Sequence, residues 1–553
     1  MVTLLFPGRH LLNTRFQEEY LYSVLQRPLK EVGIWGDSPL RDSPHTLDSI
    51  VFAITSANQA NSRYNPIPFH VRAIGVDRFA RQFRETLGIS YRILGVPDFK
   101  LSPKFSEYML QEIEEQSEGS LELTPQNTIV LCSTPEVIKQ YLSSGFLVLP
   151  AELESLSPVK YFTDTPMSLV KKIVEIGENW ATHPEVRSKL SPSTLGLWRD
   201  FPEVPEKVFR LYRDPLLNDS GSLTDTRDYS TYARGMSGRE VIHQKYTDIK
   251  NSIIPGKIVD EGCADGALLT LIAQDFTDSD LIGIELTGEF IARCQERQRA
   301  GEFGGTYVHF HQRNLMDGIF EENSIDTTIC NSTTHELWSY GEQETTLQAY
   351  LKLKLNQTKR GGRILIRDVV GPEDKQQEVY MWCNEQDGSN EDVFKECSGE
   401  ELVSHLRGLS TYSRFHRFSR DYLADRRNSG HRGEETKVKY REEVVDGKKF
   451  IVLDLKTATE FMTKKDYVDN WKSELNEEFS FWDFSEWKSA LKDAGFVVLE
   501  NPNDIVESSR TYANSWIVQN RYVRKVELYQ KTEKSLKQME YPVTNMVLVG
   551  EKR

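Results

Sequence analysis

No CxxC pair occurs in the 553 residues, and the six cysteines, Cys132, Cys263, Cys294, Cys330, Cys383 and Cys397, are scattered. That distribution excludes a disulfide framework and a thiolate zinc site, and it reads as reduced thiols in a cytoplasmic protein. No metal site is expected. No apolar run reaches the ~18–20 residues that a membrane helix requires. The opening "MVTLLFPGRHLLNTRF" meets Pro7-Gly8 too early to be a signal peptide and reads as a buried strand. Internal repeats and low-complexity tracts are also missing. Positive charge is in deficit: 68 Lys and Arg against 83 Asp and Glu give a net charge of -15. So acidic a chain is not built to wrap nucleic acid over its whole surface.

What is present is enough for more than one folded domain. Hydrophobic residues make up 38% of the chain, with nine Trp, 23 Tyr and 26 Phe, so each of two or three domains can bury a core. Residues 1–160 alternate strand-like runs ("VTLLF", "DSIVFAIT", "YRILGVPD", "NTIVLCS", "FLVLP") with helical periods such as "PFHVRAIGVDRFARQFRETLG". Strands alternating with helices predict a mostly parallel sheet. Residues 161–235 turn helical and proline-rich and read as a connector. A second α/β series starts at "KIVDEG" and carries strands at 257–261, 280–286, 306–312, 325–331 and 363–370. A polar, Arg-rich and aromatic segment, 376–480, interrupts it. The rhythm resumes at "FSEWKSALKDAGFVVLEN", and "SWIVQNRYVRKVELY" and "TNMVLVGEK" read as further strands. The expected fold is α/β, with two Rossmann-like parallel-sheet domains, 1–160 and 236–553, the second carrying a large cap.

The chemistry concentrates at "KIVDEGCADGALLTLIA". Gly262 and Gly266 remove side chains where a strand turns into a helix, so a ligand can approach the backbone and the unpaired N–H groups of the helix start. "LIGIE" places Glu285 at the tip of the next strand, where a carboxylate accepts both hydroxyls of a ribose. A dinucleotide and S-adenosyl-L-methionine both fit such a loop.

The surrounding motifs separate the two. "VDEGCADG" resembles motif I of class I S-adenosylmethionine-dependent methyltransferases, with Ala264 at the family's middle glycine. The resemblance runs on through Glu285, "HQRNLMD" (311–317), "IDTTICNSTTHELWSYG" (325–341), "KRGGRILIRDVVGP" (359–372), "EWKSALKDAGFVVL" and "TNMVLVGEK". It implies S-adenosyl-L-methionine as cofactor. It implies Asp260, Gly262, Ala264 and Gly266 around the methionine moiety, Glu285 on the ribose, Asn314 and Leu315 at the adenine, and Asn331 at the end of the fourth strand. Tyr232 or Arg234, in the preceding helix, are candidates for the methionine carboxylate.

Methyl transfer from a sulfonium is an in-line displacement that needs alignment, with a base only if the acceptor must lose a proton. His335 and Glu336 are the candidate catalytic pair, His335 having either a base or a cofactor-shaping role. Trp338, Arg367 and Asp368 face the expected acceptor cleft. In "SRFHRFSRDYLADRRNSGHR" (413–432), Arg426 and Arg427 head an arginine cluster suited to a phosphate-bearing acceptor. The same arginines could equally form a solvated face paired with acids such as Asp421 and Asp425. The expected acceptor is a small or nucleotide-like molecule. A non-catalytic S-adenosylmethionine-binding protein and an RNA methyltransferase are the alternatives.

The first domain, with Gly8-Arg9 and "SRYNPIPF" in order, resembles nicotinamide-nucleotide adenylyltransferase-like proteins of the HIGH superfamily. Thr14 and Gln17 stand at that family's two histidine positions, and no late basic motif follows. The resemblance therefore implies a degenerate nucleotidyltransferase-like domain with a binding or regulatory role.

Overall fold

The computed structural model describes residues 2–33, 35, 46–98, 104–214, 217–222, 239–425, 437–500, 508–533 and 535–553. Two compact units divide the chain, Met1–Ser222 and Leu223–Arg553. No helix among the described residues is long and apolar enough to cross a membrane.

In the first unit, strands β1 (Thr3–Gly8), β2 (Ser49–Thr55), β3 (Ser90–Val96), β4 (Thr128–Cys132) and β5 (Leu147–Pro150) form one sheet in the order β3-β2-β1-β4-β5. All its pairings are parallel. β1, β2 and β4 are unbroken apolar runs because helices cover both faces of a parallel sheet. A short hairpin follows, β6 (Leu153–Leu156) with β7 (Val159–Tyr161).

The segment expected as a connector is, as far as it is described, part of this unit. Helices Pro166–Ile176, Pro184–Lys189, Pro192–Asp200 and Glu203–Arg213 follow one another. Their apolar faces, including Val170, Ile173, Trp198 and Val208, pack on Leu11, Leu12 and Ile67. Three of the prolines that suggested a linker occupy the first turn of these helices, where no backbone N–H is needed.

The second unit is built on β8 (Lys257–Glu261), β9 (Asp280–Glu285), β10 (Val308–Gln312), β11 (Ile325–Asn331) and β12 (Thr358–Val369). Their sheet is completed by β16 (Val497–Val498) and β20 (Asn545–Glu551), in the order β10-β9-β8-β11-β12-β20-β16, with β17 (Arg510–Tyr512) also on β20. The first five strands run parallel, and β20 is antiparallel to β12. The order reverses at β8, so the cleft opens beyond the carboxyl ends of β8, β9 and β11.

The cap is a second, antiparallel sheet, β14-β15-β13-β18-β19. It is made of β13 (Glu378–Cys383), β14 (Arg441–Val445), β15 (Lys448–Asp454), β18 (Val526–Lys531) and β19 (Leu536–Gln538). It is therefore discontinuous in sequence: the stretch 526–538, expected with the core, pairs with β13 instead, and Tyr522, Val526 and Leu528 enter the same apolar cluster as Phe415, Phe461 and Trp471. Only the last four residues of "SWIVQNRYVRKVELY" are strand; its start is helical turns.

Candidate functional site

β8 delivers Asp260 to the edge of the sheet, and the chain then turns through Gly262–Gly266 into the helix Ala267–Asp275. Gly262 has φ 74, and a Cβ there would lie 2.6 Å from Thr333 Oγ1, so glycine is required where the loop after β11 crosses. Gly266, φ 78, starts the helix in the left-handed region. The N–H groups of Gly262 and Cys263 donate to the Ile284 carbonyl at 2.9 and 3.0 Å. The N–H of Ala264 donates to Glu285 Oε2 at 3.2 Å, and that of Thr287 to Glu285 Oε1 at 2.9 Å. Glu285 therefore ties the turn after one strand to the end of the next.

Three buried ionisable groups meet here. Asp260 is 2% exposed, and no hydrogen bond or ion pair links its side chain to any described residue. Burial pushes its carboxyl up to about 7, against the pull of Lys245. Glu285 is also pushed up to about 7 by burial, with the Thr287 N–H opposing. Lys245 is buried on the helix Arg239–Ile249, and burial together with Arg367 brings it down to about 7. Asp260 at the end of β8, Lys245 on the helix Arg239–Ile249 and Glu285 at the end of β9 thus offer groups of opposite charge to a ligand at this turn. An isolated buried charge of this kind is costly unless a ligand pairs it. Lys245 was missed in the sequence, although its spacing from Ile242 and Ile249 puts it on the apolar face of its helix. Tyr232 and Arg234 lie outside the described residues.

Asn314 and Leu315 occupy the loop after β10. Asn314 Oδ1 accepts the N–H of Met316 at 3.0 Å, and Leu315 packs against the apolar cluster of Val259, Ile282 and Ile284. Asn331 closes β11, and its carbonyl accepts from Thr333 Oγ1 at 3.3 Å.

The loop after β11 is held by Asp368. Asp368 Oδ2 accepts the N–H groups of Thr334 and His335 at 2.7 and 3.2 Å, and Oδ1 lies 2.7 Å from His335 Nδ1. His335 Nε2 faces Glu477 Oε2 at 3.4 Å. Burial lowers the imidazole pKa, yet Asp368 and Glu477 outweigh it and hold the ring well above its ordinary value. Burial likewise pushes Asp368 up, and His335 and Thr334 bring it down to about 2. His335 is thus an imidazolium with a carboxylate at each nitrogen.

The remaining candidates separate. Trp338 stacks on Phe481 at 4.6 Å and donates its indole N–H to Glu478 at 3.1 Å. Arg367 Nε donates to Asp248 at 2.7 Å, on the side of the helix Arg239–Ile249. Glu336, half-buried, neighbours both Glu285 and Glu474 electrostatically. In the arginine cluster, Arg414 pairs with Asp466, Arg417 with Asp421, and Arg420 with Asp421 and Glu396; these three arginines are held in four ion pairs within the fold. Arg426 and Arg427 lie outside the described residues.

A sheet reversing at β8, a glycine turn after an acid, and an acid closing the neighbouring strand give the second unit the Rossmann-like fold of class I methyltransferases. Residues 256–415 match the family model described as "Methyltransferase domain". Among solved structures, the chain is similar to an S-adenosylmethionine-dependent methyltransferase from Clostridium acetobutylicum at 12% identity, covering 59% of this chain and 99% of that one with a TM-score of 0.28. It is also similar to a SAM-dependent methyltransferase from Archaeoglobus fulgidus at 10% identity, covering 59% and 100% with a TM-score of 0.28. No curated protein matches the chain.

Proposed function

We propose that the second unit methylates an O or N atom of a small or nucleotide-like acceptor that enters beside the loop Asn331–Tyr340. Asp260 takes the ammonium of the methionine moiety, Lys245 its carboxylate, and Glu285 the ribose hydroxyls, with Asn314 and Leu315 beside the adenine. The observation that carries this reading is the buried Asp260, whose side chain has no hydrogen-bond or ion-pair partner among the described residues, with Lys245 acting on it electrostatically and Glu285 one strand away. The cofactor supplies an electrophilic methyl group. The chain aligns the acceptor and excludes water. His335, with a carboxylate at each nitrogen, holds Asp368 and Glu477 in place and is a positioning residue in this reading, not a base. Trp338 is packing for the loop.

For the first unit we propose a nucleotidyltransferase-like domain of binding or regulatory role. Thr14 and Gln17 form a capping box on the helix Arg15–Leu25, and Gln17 also donates to Glu152 at 2.8 Å. His10 is buried against Phe6 and Phe52, with Nε2 3.1 Å from the Phe6 carbonyl. These side chains serve the fold, and the unit is expected to release no pyrophosphate from ATP.

Transfer of isotope-labelled methyl from S-adenosylmethionine to fractionated metabolite pools is the test. Label in a small-molecule product supports the reading. Tight cofactor binding with no label leaving it in any pool would favour a regulatory protein instead.

A further inference from the structure

Strand β8 ends in two adjacent acids that face opposite ways, because side chains alternate along a strand. Asp260 shares its face with Ile258, whose apolar cluster includes Ile249 and Leu268. Glu261 shares the other face with Val259, whose cluster includes Ile282, Ile284 and Leu315. On that face Glu261, 1% exposed, meets two groups from the helix Glu344–Gln357: Oε1 accepts from Lys354 Nζ, and Oε2 from the Tyr350 hydroxyl. Lys354 is also 1% exposed. Its other two donors go to the Leu315 carbonyl at 3.4 Å and to Gln357 Oε1 at 3.3 Å.

The pair therefore reaches three segments around the site. Glu261 is the residue between Asp260 and Gly262, and its carbonyl accepts from Thr333 Oγ1 at 3.3 Å, in the loop after β11. Leu315 belongs to the loop after β10. The start of that loop is held by the Arg313 N–H, which donates to the Glu285 carbonyl at 2.9 Å. Lys354 holds it two residues later, at the Leu315 carbonyl. Asn314 lies between these two anchors. Stability alone does not account for a buried ion pair here, since well-packed apolar side chains of similar volume serve a fold as well or better. What an apolar pair cannot supply is a donor for the Leu315 carbonyl.

We propose that Lys354, fixed by Glu261, is a positioning residue that sets the Asn314–Leu315 loop and, through it, the selectivity of the site for adenine over other purine bases. This rests on the methyltransferase reading above, in which that loop lies beside the adenine. Adenine carries an exocyclic amine where hypoxanthine carries a carbonyl. A loop that presents its polar groups at a fixed place separates the two bases, because the wrong one leaves a buried group unpaired. A loop released from its second anchor loses that discrimination first.

The test uses the full-length protein and calorimetric titration with S-adenosylhomocysteine and with S-inosylhomocysteine, which has the carbonyl in place of the amine. The wild type is expected to prefer the adenosyl compound about tenfold or more. Lys354→Met leaves Glu261 buried without its cation. It is expected to lower stability and to reduce the preference to about twofold. Glu261→Gln/Lys354→Met removes both charges, so it is expected to regain stability in denaturant titrations while the preference stays at about twofold. That separation distinguishes a positioning role from a structural one. A preference that returns with stability in the double variant, or that Lys354→Met leaves at the wild-type value, overturns the proposal and leaves the methyltransferase reading standing. A wild type that binds both compounds equally does the same. Failure of the wild type to bind S-adenosylhomocysteine at all removes both.

Discussion

Glu285 Oε2 accepts the backbone N–H of Ala264 at 3.2 Å, so the acid that closes β9 is bonded to the turn that follows β8. Because β8 and β9 pair with Glu261 opposite Ile284, the two halves of the proposed nucleoside site are fixed by sheet register. Glu285→Gln keeps an acceptor for Ala264 but loses the charge and half the acceptor capacity offered to a ribose. The expected outcome is a fall of about tenfold in cofactor affinity, about 1.4 kcal/mol, with little loss of stability, read by calorimetry and chemical denaturation.

Ala264 holds φ 46 in the same turn. A left-handed alanine is strained by about 1 kcal/mol relative to glycine. Ala264→Gly is expected to raise stability by up to about 1 kcal/mol in denaturant titrations and to leave cofactor binding intact.

The ligand-free protein carries a defined pH signature. Asp260 and Glu285 are raised to about 7, and Glu474 to about 8, above their ordinary values of 3.8, 4.5 and 4.5. The folded state therefore binds protons that the unfolded chain has released, and stability falls as pH rises from about 4 to about 7–8. Lys245, lowered to about 7, acts in the opposite direction above that pH. Asp260→Asn is expected to flatten the fall by the order of 1 kcal/mol per pH unit within that window. In the wild type, cofactor affinity is expected to rise with pH through about 7, because binding favours the ionised carboxylates.

His335 stands between Asp368 and Glu477. Removing it leaves two buried carboxylates without their shared cation, a change that costs about 3–5 kcal/mol. His335→Phe is expected to lower the unfolding free energy of the second unit by that amount, read by denaturant titration. If the ring instead acted as a base, the variant would lose turnover while stability stayed near the wild type.

The parts of this site that were legible in the sequence are local. A strand, an acid, a glycine turn and a helix follow one another between Lys257 and Asp275, and Glu285 is reached by counting along the next strand. The closing strand "TNMVLVGEK" is legible for the same reason. Lys245 and Lys354 are not, because their meaning depends on burial by segments distant in sequence. A lysine in a helix reads as surface until the fold encloses it. The helices from 166 to 213 show the same limit, since the Leu11, Leu12 and Ile67 side chains they cover lie far upstream. The capping roles of Thr14 and Gln17, by contrast, fit a spacing of three residues that the sequence does display.

The most direct single measurement is the structure of the full-length protein with S-adenosylhomocysteine bound. The adenosyl group is expected over the turn between Asp260 and Gly266, with its ribose hydroxyls on Glu285 and its amino-acid end between Asp260 and Lys245. A nucleoside bound elsewhere, or a ribose that does not touch Glu285, would contradict the assignment.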